Sequence, residues 1–155
     1  MGLKELLSLP FARYIVHKNK RWKNNAVKVQ NELLLLLIKQ AQNTQFGKDY
    51  NFAEITNYTQ WKEAVPVRDY EGLKNYIQQI IEGEENILWP GVPLYFCKTS
   101  GTTSGAKYIP ISKESMLNHI TGGRDAMLSY IAESKNTSIV NGKMIFLQGS
   151  PKLSK

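Results

Sequence analysis

The sequence predicts an α/β fold in which a helical N-terminal segment leads into the start of a mixed sheet with a crossover helix. Three observations carry the prediction. Apolar residues recur at helical spacing through the first 45 residues. Three short runs of strand composition come later, at 94–97, 108–111 and 143–148. A long helical pattern from Ser112 to Ile131 separates the second run from the third, as a crossover between strands requires.

Each element has its own signal. Ala26, Val29, Leu33, Leu36 and Leu37 repeat as a helix face, and Gln42-Asn43-Thr44 before Phe46-Gly47 ends the pattern. The longest apolar run, Leu33 to Ile38, is six residues. A membrane span needs about 20, so the run is expected as a buried helix face. Asn57-Tyr58-Thr59 introduces a short helix carrying Trp61 that stops before Pro66. Asp69 caps a stronger helix with Leu73, Tyr76, Ile77, Ile80 and Ile81 on one face and Gly83 as its C′ residue. Trp89-Pro90-Gly91 is a turn. Leu94-Tyr95-Phe96-Cys97 is expected as a short buried strand, and Tyr108-Ile109-Pro110-Ile111 as a second, with Pro110 marking an edge or a strand end. Ser112 caps the long helix through Met116, Leu117, Ile120, Met127, Tyr130 and Ile131. Met144 to Leu147 lies inside the third strand, and Gly149-Ser150-Pro151 opens a loop. Three short strands do not complete an α/β sheet, so the sequence is expected to be the front part of a longer architecture.

Composition narrows the class. At 42% hydrophobic and 21% charged, the chain has the balance of a folding domain rather than of a disordered or fibrous one. The single Cys97 excludes an internal disulfide and a multi-cysteine zinc site, and points to a reducing compartment. The net charge of +7 is local: residues 1–40 hold eight basic and two acidic side chains, and the remainder holds twelve and eleven. The chain thus reads as a basic helical segment, 1–45, followed by a nearly neutral α/β region, 46–155. Leu6 to Phe11 is too short and too soon followed by Arg13 for a secretory apolar region, and Leu6 stands where a myristoylation signal needs Ser or Thr. The basic start leaves a mitochondrial transit peptide open, but a cytoplasmic location and no membrane contact are expected.

Chemistry concentrates between the first two strands. Thr99, Ser100, Gly101, Thr102, Thr103, Ser104, Gly105, Ala106 and Lys107 follow a strand directly. Gly101 and Gly105 allow close backbone approach and positive φ, the hydroxyls add donors without bulk, and Lys107 adds a positive charge. Together these form a cradle for a polyphosphate. The Walker pattern does not fit, because Ala106 stands where its second Gly belongs and Tyr108 follows Lys107. The loop also runs from strand to strand instead of opening a helix.

Phe96-Cys97-Lys98-Thr99-Ser100-Gly101-Thr102-Thr103-Ser104-Gly105-Ala106-Lys107 resembles the AMP-binding signature of adenylate-forming enzymes, which include acyl-CoA synthetases and luciferases. Three upstream stretches, Phe46-Gly47-Lys48-Asp49-Tyr50, Val65-Pro66-Val67-Arg68-Asp69-Tyr70-Glu71 and Gly83 to Gly91, sharpen the likeness. The succession resembles the auxin-responsive (Gretchen Hagen) acyl-acid amido synthetases, their bacterial members in particular, from about Val29 onward. The resemblance implies the N-terminal portion of an adenylate-forming fold and an ATP-dependent ligase that adenylates a carboxylic acid and passes the acyl group to an amine or amino acid. It implies that Thr99, Ser100, Gly101, Thr102, Thr103, Ser104, Gly105 and Lys107 hold the ATP phosphates, with Mg²⁺, and that Lys107 acts electrostatically on the departing pyrophosphate. The family's adenine and ribose motifs and its C-terminal lobe would lie beyond Lys155, so this chain is expected to be inactive alone.

Other features have plainer readings. His17-Lys18-Asn19-Lys20-Arg21-Trp22-Lys23 mixes basic charge with an aromatic, which leaves open a non-catalytic nucleotide- or nucleic-acid-binding module; the favoured reading is a solvated helix face with Trp22 packed inward. His119 has no Cys or second His at ligand spacing, so no metal site is expected there. Cys97 is expected as a core thiol, Glu82, Glu84 and Glu85 as surface groups, and Trp61 and Trp89 as packing residues.

Overall fold

The computed structural model describes residues 2–99 and 105–143. It is mostly helical with one two-stranded antiparallel sheet, compatible with an α/β domain. Six α-helices, α1 (Leu3–Lys20), α2 (Ala26–Ala41), α3 (Gln45–Asp49), α4 (Tyr58–Ala64), α5 (Tyr70–Ile81) and α6 (Lys113–Ser134), accompany β1 (Tyr95–Thr99) and β2 (Lys107–Ile111). The expected third strand at 143–148 and the loop at 149–151 lie outside the described residues, except for Lys143.

The chain divides into two compact units, with the division inside α6. One joins the residues up to Asn24 with those from Leu117 on. Its core is Ala12 and Ile15 of α1 against Leu128 and Ile131 of α6, with Leu9, Ala132 and Val140 packed around them. Two polar contacts fasten the same pair of segments: the Asn19 amide donates to Asp125 at 2.7 Å, and the Asn141 amide donates to Glu5. The Asn19 bond, with help from Arg124, holds the Asp125 carboxyl below its ordinary range.

The other unit is Asn25–Met116. Its core is Ile38 and Ala41 of α2 with Phe52 and Ile55, ringed by Leu34, Phe46, Tyr50, Trp61, Val65 and Trp89. Leu34, Ile38 and Ala41 lie at i, i+4 and i+7, one stripe of the helix. The expected burial of the whole Leu33–Ile38 run is corrected here: Leu33, Leu36 and Leu37 are exposed. Six consecutive residues at about 100° each surround the helix, so a single packing layer covers only part of them.

Four helix starts, those of α3, α4, α5 and α6, have side-chain caps. Asn57, Asp69 and Thr44 each accept a backbone N–H three residues on, and Ser112 does the same for Ser115 at 3.1 Å. Thr44 is nearly fully buried; its hydroxyl donates to Ala41 O at 2.7 Å and accepts from Gly47 N–H at 3.0 Å. This doubled bond seats the five-residue α3, which sequence periodicity is too short to reveal, against the end of α2. Gly47 is required there because a Cβ would stand 2.1 Å from Ala41 O.

In the sheet, Tyr95 pairs with Ile111 and Thr99 with Lys107. The strands therefore run further into the hydroxyl-rich loop than the sequence suggests. The expectation of a buried first strand is corrected: of β1 only Phe96 is partly buried, and Cys97 is exposed. Strand alternation puts Tyr95, Cys97 and Thr99 on the face opposite Phe96, and that face is the exposed one. Pro110 fits its edge reading. Ile111 O accepts the N–H of Leu94 on the β1 side, so the groups of 108 and 110 face away from β1, where a missing N–H breaks no ladder bond.

Candidate functional site

The three stretches upstream of the loop come together as its support. The first N–H groups of α3, those of Gln45 and Phe46, donate to Asn86 O and Ile87 O at 2.7 and 2.9 Å. The Gly83–Gly91 stretch thereby satisfies donors that a helix N-terminus leaves open. That stretch closes on itself, Asn86 N–H to Gly91 O at 3.1 Å and Gly91 N–H to Asn86 Oδ1 at 2.8 Å, with both residues at positive φ. The Trp89 indole donates to Glu114 Oε2 at 3.0 Å and so ties the turn to the first turn of α6.

α5 is pinned to α3 by a second group. Tyr76 donates to Asp49 Oδ2 at 2.7 Å, and its ring meets Phe46 edge-on at 5.3 Å. Burial first, and the bond to Asp49 second, push the Tyr76 hydroxyl up to about 12. Arg68 donates to the Tyr50 hydroxyl, lies over that ring at 5.2 Å and reaches Gly72 O at 3.2 Å. The start of α5 is thus held from outside as well as by its Asp69 cap.

From that start, Tyr70 reaches the hairpin. Its hydroxyl accepts the Tyr108 N–H at 2.9 Å, and the Lys107 ammonium lies 5.4 Å from its ring centroid. Lys107 is half-buried and Thr99, its cross-strand partner, is exposed. Gly105 has φ +83 with open space where a Cβ would point, so its backbone is reachable. Of the loop residues singled out in the sequence, Thr99, Gly105 and Lys107 are thus placed at the two ends of one hairpin; Ser100, Gly101, Thr102, Thr103 and Ser104 lie outside the described residues. Tyr70 and Arg68 were not singled out as site residues, although both sit in the Val65–Glu71 stretch; no spacing rule links them to Lys107.

Two further features bound the site. A cavity of about 200 Å³ lined by Ile80, Trp89, Pro90, Pro93, Pro110 and Ser112 is smaller and more apolar than a nucleotide needs, since ligand clefts run about 300–1,000 Å³. Among the described residues no three His, Cys, Asp or Glu side chains gather as a metal site, and His119 is exposed on α6. In the basic stretch, Trp22 is 53% exposed, which corrects the inward packing expected of it: it lies in a 3-10 turn, Arg21–Asn25, where the α-helical stripe is interrupted. No helix among the described residues is long and apolar enough to cross a membrane.

The chain is 31% identical over 94 residues to a probable indole-3-acetic acid-amido synthetase of Arabidopsis thaliana, an alignment covering 59% of the chain and 16% of the relative. It is 30% identical over 94 residues to a jasmonoyl–L-amino acid synthetase of Nicotiana attenuata, again 59% of the chain and 16% of the relative. A jasmonoyl–L-amino acid synthetase of Oryza sativa subsp. japonica is 25% identical over 129 residues, 81% of the chain and 22% of the relative. The chain thus matches only a minor part of each relative's length. The model of the GH3 family N-terminal domain matches residues 15–154, nearly the whole chain, and the chain belongs to that family.

Proposed function

We propose that this chain supplies the ATP phosphate-binding loop of an ATP-dependent acyl-acid amido synthetase built on an adenylate-forming fold. The relatives are named as enzymes joining indole-3-acetic acid to an amine or jasmonic acid to an amino acid, and we carry that class to this protein: a carboxylic acid, an amine or amino acid, and ATP. The supporting observation is the pairing of Thr99 with Lys107, which puts the two ends of a hydroxyl- and glycine-rich sequence side by side with an ammonium at its exit. ATP supplies an α-phosphorus for the acid's carboxylate to attack, and pyrophosphate leaves.

In this reading Thr99, Ser100, Gly101, Thr102, Thr103, Ser104, Gly105 and Lys107 hold the phosphates. Thr99 and the loop hydroxyls donate hydrogen bonds, Gly101 and Gly105 let backbone N–H groups approach, and Lys107 offsets the charge that grows as pyrophosphate departs. Mg²⁺, if it accompanies the nucleotide, would be held chiefly by the phosphates and would supply further positive charge beside Lys107. The acyl and amine pockets, and completion of the reaction, belong to the part of the relatives outside the matched segment.

The test is acid-dependent ATP–pyrophosphate exchange by the polypeptide at the relatives' full length, with indole-3-acetic and jasmonic acids among the acids offered. Lys107→Ala combined with Gly101→Ala is expected to lower exchange by about 10² or more, the range for losing preorganised charge stabilisation. Exchange indifferent to both changes sinks the assignment of the loop.

A further inference from the structure

The Val65–Glu71 stretch has so far acted only as scaffold, yet it delivers one side chain to the loop's exit. We propose that Tyr70 is the positioning residue of Lys107, a role that rests on the phosphate reading above. Lys107 carries a four-carbon stem whose rotamer freedom must be given up when its ammonium meets a phosphate. Tyr70 reduces that freedom from two directions. Its ring presents the negative face of its π-system to the ammonium at 5.4 Å, within cation–π reach. Its hydroxyl accepts the outward N–H of Tyr108, the residue next to Lys107, at 2.9 Å and so fixes the backbone from which the lysine projects.

The tyrosine is itself held firmly. It is the first residue of α5, directly after the Asp69 cap. Arg68, one residue earlier, is bound to Tyr50 of α3 and to Gly72 O. The route from the α3–α5 cluster to the ammonium is therefore a chain of direct contacts: Tyr50, Arg68, the α5 start, Tyr70, Lys107. A phenylalanine keeps the ring and loses the acceptor, and a leucine loses both. The two halves of the role are therefore separable.

The experiment uses the polypeptide at the relatives' full length with labelled lysine, nuclear magnetic resonance and titration with Mg²⁺–ATP. In the unaltered chain the Lys107 ε-methylene protons are expected upfield, in the shielding region of the Tyr70 ring. Tyr70→Phe keeps that shift, speeds exchange of the Tyr108 amide about tenfold, and weakens ATP binding by less than Tyr70→Leu does, since the cation–π face remains. Tyr70→Leu abolishes the shift and weakens ATP binding about three- to tenfold, the size of a partly exposed cation–π contact. In a Lys107→Ala background Tyr70→Leu costs nothing further, which a merely structural role would not produce. An unshifted Lys107, or a Tyr70→Leu loss that persists in full without Lys107, overturns the positioning role while leaving the phosphate loop standing. An unaltered chain that shows the shift but binds no ATP, or binds it equally well as Lys107→Ala, overturns the phosphate reading and this role with it.

Discussion

Gly47 and Tyr76 show how single positions carry the support of the loop. A Cβ at Gly47 would meet a backbone carbonyl rather than a movable side-chain end, so the chain must shift to admit it. Gly47→Ala is therefore expected to destabilise the Asn25–Met116 unit by about 1–3 kcal/mol, the usual cost of overpacking, read as a lowered urea midpoint. Tyr76 makes a prediction in pH. Its folded-state pKa is about 12 against an ordinary 10.0, so the fold favours the neutral phenol. That contribution is complete below pH 10 and is lost as pH rises from 10 through 12. Ultraviolet difference titration should show a tyrosine ionisation near 12 that disappears in Tyr76→Phe, and the alkaline decline of stability should be shallower in that variant. Asp49→Asn should move the titration only part of the way back, because burial is the larger cause. A Tyr76 that ionises near the ordinary 10.0 defeats the assignment.

Among elements, the legible ones announce themselves locally. Asp69, Ser112 and Asn57 each stand one residue before a helix and bond three residues ahead, a pattern contained in four consecutive letters. Gly83 takes φ +96 just past α5, as its C′ position requires. The five-residue α3 was not legible, because its stability comes from the buried Thr44 and from carbonyls at 86 and 87, some forty residues on. The site divides in the same way. The loop's composition is visible as a run of hydroxyls and glycines, whereas the Tyr70–Lys107 contact joins two elements by no fixed spacing. The exposure of β1 is not legible in its sequence, because an apolar run reports affinity for a partner layer, not the presence of one. Trp89 and Glu114 give the element-scale prediction. Glu114 is held below the usual carboxylate range first by its own backbone N–H in the opening turn of α6 and then by the Trp89 indole. A depressed carboxyl stabilises above its ordinary value of 4.5 and loses that contribution as pH falls below it. Trp89→Phe should raise the Glu114 pKa part of the way toward 4.5, followed through its side-chain carboxyl carbon signal. No change would mean that the indole does not bond the carboxylate.

At the scale of the whole chain, the distribution of apolar surface needs a physical account. α1 buries Ala12 and Ile15 on one side and exposes Leu3, Leu7, Phe11 and Tyr14 on the other, and each set recurs at helical spacing. α6 buries Leu128 and Ile131 but exposes Leu117 and Ile120 along the same stripe. α2 buries Ile38 and exposes Leu33 and Leu36. Isolated surface leucines are ordinary, but three helices with periodic exposed stripes are not. Such surface favours association of the chain with itself or with apolar probes in proportion to the area shown. Leu33→Glu with Leu36→Glu should therefore reduce binding of a hydrophobic dye and self-association in sedimentation, while changing the unfolding free energy by no more than about 0.5 kcal/mol, as surface changes do. Ile38→Glu, a few residues along the same helix, puts a charge into the Phe52–Ile55 core and should prevent that unit from folding. The contrast between the two substitutions is the measurement that matters. If the Leu33 and Leu36 changes were as damaging as the Ile38 change, the run from 33 to 38 would be packed all round, as its sequence first suggests. If they are tolerated and the dye signal falls, the helix has one inward stripe and an outward face that stays apolar.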